Sequence, residues 1–135
     1  MVPKRVQIGP FLFAIEMGET ERTLLTDSHG ETDLDKLIIR LHPDRADMIS
    51  RETLLHEILH AVASVAGLDH ELGAELEEKV VRRLAPILLD AFLRNSGLVK
   101  YLCGTNTNAT AAIGPTPTTK KPNRVPKPSG KNPKH

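Results

Sequence analysis

The spacing of apolar positions along this chain changes between alternation and helical periodicity, and each change marks a new element. Arg5-Val6-Gln7-Ile8 alternates polar with apolar, and Phe11-Leu12-Phe13-Ala14-Ile15 follows across Gly9-Pro10. Two such runs on either side of a turn dipeptide predict a pair of short strands, a hairpin if the turn closes tightly. Leu24-Leu25 reads as part of a third strand, with Ser28-His29-Gly30 as the turn after it. Asp35 to His42 is rich in branched apolar residues and stops at Pro43, which lacks the donor that pairing needs, so another strand is expected there. From about Asp47 to Ala66 the period lengthens. Leu54, Leu55, Ile58, Leu59, Val62 and Val65 recur at helical spacing, and Gly67 is a natural stop. This helix is apolar around much of its circumference, which predicts a central, largely buried position. Asp69 can cap a second helix running to about Arg94, ended by Asn95-Ser96-Gly97. Pro86 lies inside that span, removes the bond to the Arg82 carbonyl and should kink or divide the helix. Leu98, Val99, Tyr101 and Leu102 are expected to fold back on the core.

The pattern ends near Cys103. Residues 104–135 contain six prolines, six lysines or arginines and no acidic residue. Such a segment buries too little apolar surface to offset its ordering entropy, so the expected organisation is one folded domain over 1–103 and a disordered basic tail. The overall charge of +1 hides this division, because the body carries 12 cations against 17 acids and is net −5. An acidic body argues against a nucleic-acid groove on the domain, leaving weak contact by the tail. Lys4 and Arg5 ahead of Phe11–Ile15 superficially resemble a signal peptide, but the apolar run is short and interrupted. No run approaches the roughly 20 apolar residues of a membrane helix. The single cysteine, Cys103, allows no intramolecular disulfide. A reducing compartment, hence a cytoplasmic location, is the expectation.

The chemistry sits on the first long helix, in His56-Glu57-Ile58-Leu59-His60. Residues four apart lie one turn apart on one face, so two imidazoles can meet one tetrahedral metal ion from the same side. Glu57 then lies close without having to bind. Zinc lowers the pKa of a bound water from about 15.7 toward about 7, and a carboxylate within hydrogen-bond reach can take its proton as it attacks a carbonyl carbon. A third protein ligand is needed, and a carboxylate of the next helix is the most economical source. Ala63 and Gly67 extend the His56 and His60 stripe and permit close approach there. On the second helix Glu78 shares a stripe with Ala74, Val81, Ala85 and Leu88, while Glu77 shares one with Val80, Leu84 and Leu88. Periodicity leaves both open. His29 and His42, in turn contexts, read as surface residues.

This motif, followed by Glu77-Glu78-Lys79-Val80-Val81-Arg82-Arg83-Leu84-Ala85-Pro86, resembles the small phage-encoded zincin metallopeptidases, relatives in plan of the gluzincins. The likeness covers about Val6 to Leu102. It implies an α+β minimal zincin, with a small N-terminal sheet packed on the motif helix and a second, glutamate-bearing helix. It implies Zn2+ held by His56, His60 and Glu78, Glu57 as general base, and a peptide or protein substrate in the host cytoplasm. It also implies that the strand before the motif helix, Leu37, Ile38, Ile39, Arg40 and Leu41, is a cleft edge that pairs with extended substrate. The third histidine of a metzincin is absent. For an oxyanion, Tyr101 and His70 are the candidate helpers. A zinc-stabilised module that docks on a host protein is the alternative, and Glu57 discriminates, since a closed structural site has no use for an adjacent base.

Overall fold

A computed structural model describes residues 1–104, and the expected disordered tail lies outside the described residues. The fold is α+β. Strands β1 (Arg5–Ile8) and β2 (Phe11–Glu16) form the expected hairpin, antiparallel with Ile8 opposite Phe11. Its tight loop works because Gly9 takes φ +54°, the left-handed value a hairpin needs at its first central position. A Cβ there would also lie 2.9 Å from Val65 Cγ1.

After β2 come α1 (Glu19–Leu24), β3 (Gly30–Asp33) and β4 (Ile38–Leu41). The sheet order is β1-β2-β4-β3, with β4 parallel to β2 and antiparallel to β3. Leu24-Leu25 is therefore not strand. Residues 19–24 form a helix whose following residue Leu25 is buried with Glu21, one turn earlier, and whose Arg22 bonds Glu19 and Asp44. Two adjacent leucines suit either element, and here the four-residue spacing prevailed.

The strand before the motif helix is real but is not an edge. β4 pairs on both sides, so Leu37–Leu41 offers no free backbone to a substrate strand. Its inward residues Ile39 and Leu41 join Ile8, Phe13 and Ala61 in the buried core. On the opposite face Arg40 is surrounded by carboxylates of Glu16, Glu31 and Asp33 at 3.9, 3.1 and 3.6 Å. Glu16 and Glu31 are its direct cross-strand neighbours. The edges are β1 and β3, and the Gly-Glu-Thr-Asp sequence of β3 carries no apolar residue.

The motif helix α2 (Asp47–Val65) lies on the apolar face of the sheet. Its buried row is Ser50, Thr53, Glu57 and Ala61, of which Thr53 and Glu57 meet β3 and Ala61 joins the core. The next helix is divided, since α3 (Leu68–Leu72) ends at Gly73, φ +72°, before α4 (Ala74–Arg94) begins. Gly73, not Asp69, starts the long helix. Pro86 does not divide α4, and Arg82, whose carbonyl loses its partner, is an exposed residue where water can take the bond. α4 packs on α2 through Glu77, Val81 and Ala85, the small residues allowing close approach. α5 (Ser96–Cys103) buries no residue, so Leu98, Tyr101 and Leu102 do not fold back on the core. Among the described residues no helix is long and apolar enough to cross a membrane.

Candidate metal centre

Three ligand atoms converge where α2 meets α4. His56 Nε2 and His60 Nε2 are 3.1 Å apart, and Glu78 Oε2 lies 3.0 Å from His60 Nε2 and 3.5 Å from His56 Nε2. Ligands about 2.0–2.1 Å from a tetrahedral ion must stand about 3.3 Å from one another, so this triangle has the right size to hold a metal ion. The two rings meet edge to face, 67° between planes. Among the described residues no fourth His, Cys, Asp or Glu joins the group, which leaves a coordination position open.

Neighbouring carboxylates on α4 divide the work around His60. Glu77 Oε1 lies 2.7 Å from His60 Nδ1, on the opposite side of the ring from Glu78. A proton held between Nδ1 and Glu77 leaves the Nε2 lone pair free for a metal and fixes the ring. Glu77 cannot itself reach an ion bound at Nε2. Glu78 is oriented from behind, with Arg82 Nη2 and Nε donating to its Oε1 at 2.7 and 3.2 Å. One oxygen is thereby held by Arg82 and the other faces the histidines. Partial burial pushes the Glu78 carboxyl up, but the Arg82 hydrogen bond and the two histidines outweigh it and hold the group below the usual carboxylate range.

Glu57 points instead under the edge strand. Its Oε2 accepts a hydrogen bond from Thr32 Oγ1 at 2.7 Å, and its backbone carbonyl lies 3.1 Å from the same hydroxyl. Burial raises its pKa above the ordinary carboxylate value, against the Thr32 bond and the nearby histidines, which pull it down. Gly30 makes the close approach of β3 and α2 possible. A Cβ at Gly30 would stand 2.6 Å from Thr53 Cγ2 and 3.2 Å from Glu57 Cγ.

Two hollows of about 410 Å³ each flank the cluster and share Gly30, His56, Glu57 and Glu78. Thr32, Leu34, His60 and Glu77 line the first, while His29, Glu52, Thr53 and Arg82 line the second. Together they make a trough along the outer side of β3. His42 N donates to the carbonyl of the opposite His29, so in this antiparallel pair Glu31 and Asp33 are hydrogen-bonded to β4. By alternation the peptide groups of Gly30 and Thr32 point away from β4, toward the trough.

The expected His56, Glu57, His60 and Glu78 are thus brought together, and Leu37–Leu41 is not with them. His70 and Tyr101 line neither hollow, and His42 is buried, its Nδ1 accepting from Asp44 N–H at 3.1 Å. Gly30, Thr32 and the Arg82 bond were missed. Arg82 follows Glu78 by one helical turn, a signal the sequence carries. Nothing local marks Thr32, because its partner is 25 residues away. No family model, curated protein or solved structure matches the chain.

Proposed function

We propose that the protein is a zinc-dependent peptidase of minimal zincin plan, and that β3 rather than β4 binds its substrate. The supporting observation is the tetrahedral-sized triangle of His56, His60 and Glu78 with a buried carboxylate, Glu57, beside it and a trough leading past both. Two imidazoles and one carboxylate are a donor set suited to zinc, which when bound supplies Lewis-acid polarisation and a nucleophile at neutral pH. An extended peptide lying in the trough would bond the free peptide groups of Gly30 and Thr32, fixing the scissile bond in register. Glu57, with Oε2 held by Thr32, uses Oε1 to take the proton of the attacking water. The same atom passes that proton to the amide nitrogen as the carbon–nitrogen bond breaks. Its raised pKa brings it closer to the operating pH, where proton transfer in both directions is efficient.

The test is Glu57→Gln, assayed for bound zinc and for turnover of a peptide library. We expect stoichiometric zinc and a fall in turnover of about 10²- to 10⁴-fold. Equal turnover by the two proteins would remove Glu57 as the base, and no turnover by either at full zinc occupancy would favour a zinc-stabilised binding module.

A further inference from the structure

Besides the face of α4 that packs on α2, a second apolar row runs along that helix. Leu76, Val80, Leu84, Ile87 and Ala91 follow one another at steps of 4, 4, 3 and 4, and the last three steps are those of a coiled-coil seam. Leu84 and Ile87 are 46% and 69% exposed, and Leu76 is exposed as well. On the solvent side of the row lie Glu75, Lys79, Asp90 and Arg94. Within the chain they pair one turn apart, Lys79 with Glu75 at 3.3 Å and Arg94 with Asp90 at 2.7 Å.

We propose that this row docks a second copy of the chain, antiparallel, about a two-fold axis between Leu84 and Ile87. Charge and burial choose that orientation. In an antiparallel two-fold pair the axis is perpendicular to the helices and the same flank meets itself. Lys79 then faces the partner's Asp90, Glu75 faces the partner's Arg94, and Arg83 faces the partner's Pro86. A parallel two-fold pair would instead set this charged flank against the partner's opposite flank, where Glu77 and Val81 are already buried against α2. Leu84 meets the partner's Ile87, and Val80 the partner's Ala91, as alternate layers of the seam. The metal centre stays on the other side of α4, so each copy keeps an open trough. One pair of 21-residue helices makes a small interface, in the weak class below about 1,200 Å².

Sedimentation equilibrium of the full chain tests this over a range from about 1 to about 500 µM, suited to a weak interface. The expected mass rises with concentration from 14.8 kDa toward twice that value. Ile87→Glu should abolish the rise without lowering the melting temperature. Lys79→Glu and Asp90→Lys should each weaken association about two- to fivefold, as for exposed ion pairs, and the double variant should recover it. A monomer at the highest concentration overturns the proposal, as does a dimer indifferent to Ile87→Glu. Failure of the double variant to recover overturns the antiparallel register. A monomer that binds anionic vesicles through Ile87 would assign the face to a membrane surface instead.

Discussion

The two ends of α2 meet the rest of the protein in opposite ways. At the Ala61 end the helix touches Ile8, Phe13, Ile39 and Leu41, an apolar contact that needs only shape. Around Glu57 it presents Thr53 and Glu57 to β3, and on the adjoining face His56 and His60 to α4. Polar groups there need specific partners: Thr32 for Glu57, Nδ1 of His60 for Glu77, and Arg82 with Nε2 of His60 for Glu78. An unpaired buried group costs about 1–3 kcal/mol, so this end trades stability for a set geometry. The apolar end supplies the stability on which that geometry rests.

The comparison is broken most severely at Phe13, which is 1% exposed. Phe13→Ala should destabilise the protein by about 3–5 kcal/mol in urea titration, while the fraction that remains folded binds zinc with unchanged affinity. A large loss of affinity in the folded fraction would show that the two ends are one cooperative device. The next effect belongs to the proposed zinc ligands. Glu78→Gln should weaken zinc binding by about 100-fold and Glu77→Gln by about tenfold, since the first removes a ligand and the second only the group that orients His60. Competition with a chromogenic chelator measures both, and the reverse order would give the ligand role to Glu77.

Smaller effects sharpen the contrast further. Thr32→Val keeps the shape of the side chain and removes its hydroxyl, leaving Glu57 Oε2 without its partner. Turnover should fall about tenfold at unchanged zinc content, a loss on the scale of one hydrogen bond to a charged group. Thr32→Ser should restore it, and recovery with valine would reduce Thr32 to packing. The smallest effect is on stability. Because burial holds the Glu57 pKa above its unfolded value, stability associated with its proton is full below the unfolded pKa and is lost as pH rises through the folded one. In the metal-free protein the Glu57 carboxyl therefore opposes folding at pH above its unfolded pKa. Glu57→Gln should raise the melting temperature at pH ~7, with the gain shrinking toward pH ~4, near the unfolded carboxyl pKa. A gain that does not vary with pH would point to a cause other than this charge.

What the sequence determined by itself is what repeats at short range. The β1–β2 hairpin follows from alternation and a turn dipeptide, and α2 from its period and the glycine beyond it. Placing His56 and His60 on one face needs only the helical step, so the core of the candidate metal site was legible before any packing was known. The remaining decisions are long-range. Glu77 and Glu78 are equivalent by period, and only the docking of α4 on α2 sets one against Nδ1 of His60 and the other against Nε2. The apolar run Leu37–Leu41 reads as any half-buried strand does, and its interior place was decided by β3, a four-residue polar segment with no periodic signal. Thr32 became the partner of Glu57 for the same reason. Local period reports which face of an element is buried, whereas its neighbours depend on how separate faces fit together in space, and no short window of sequence contains that fit.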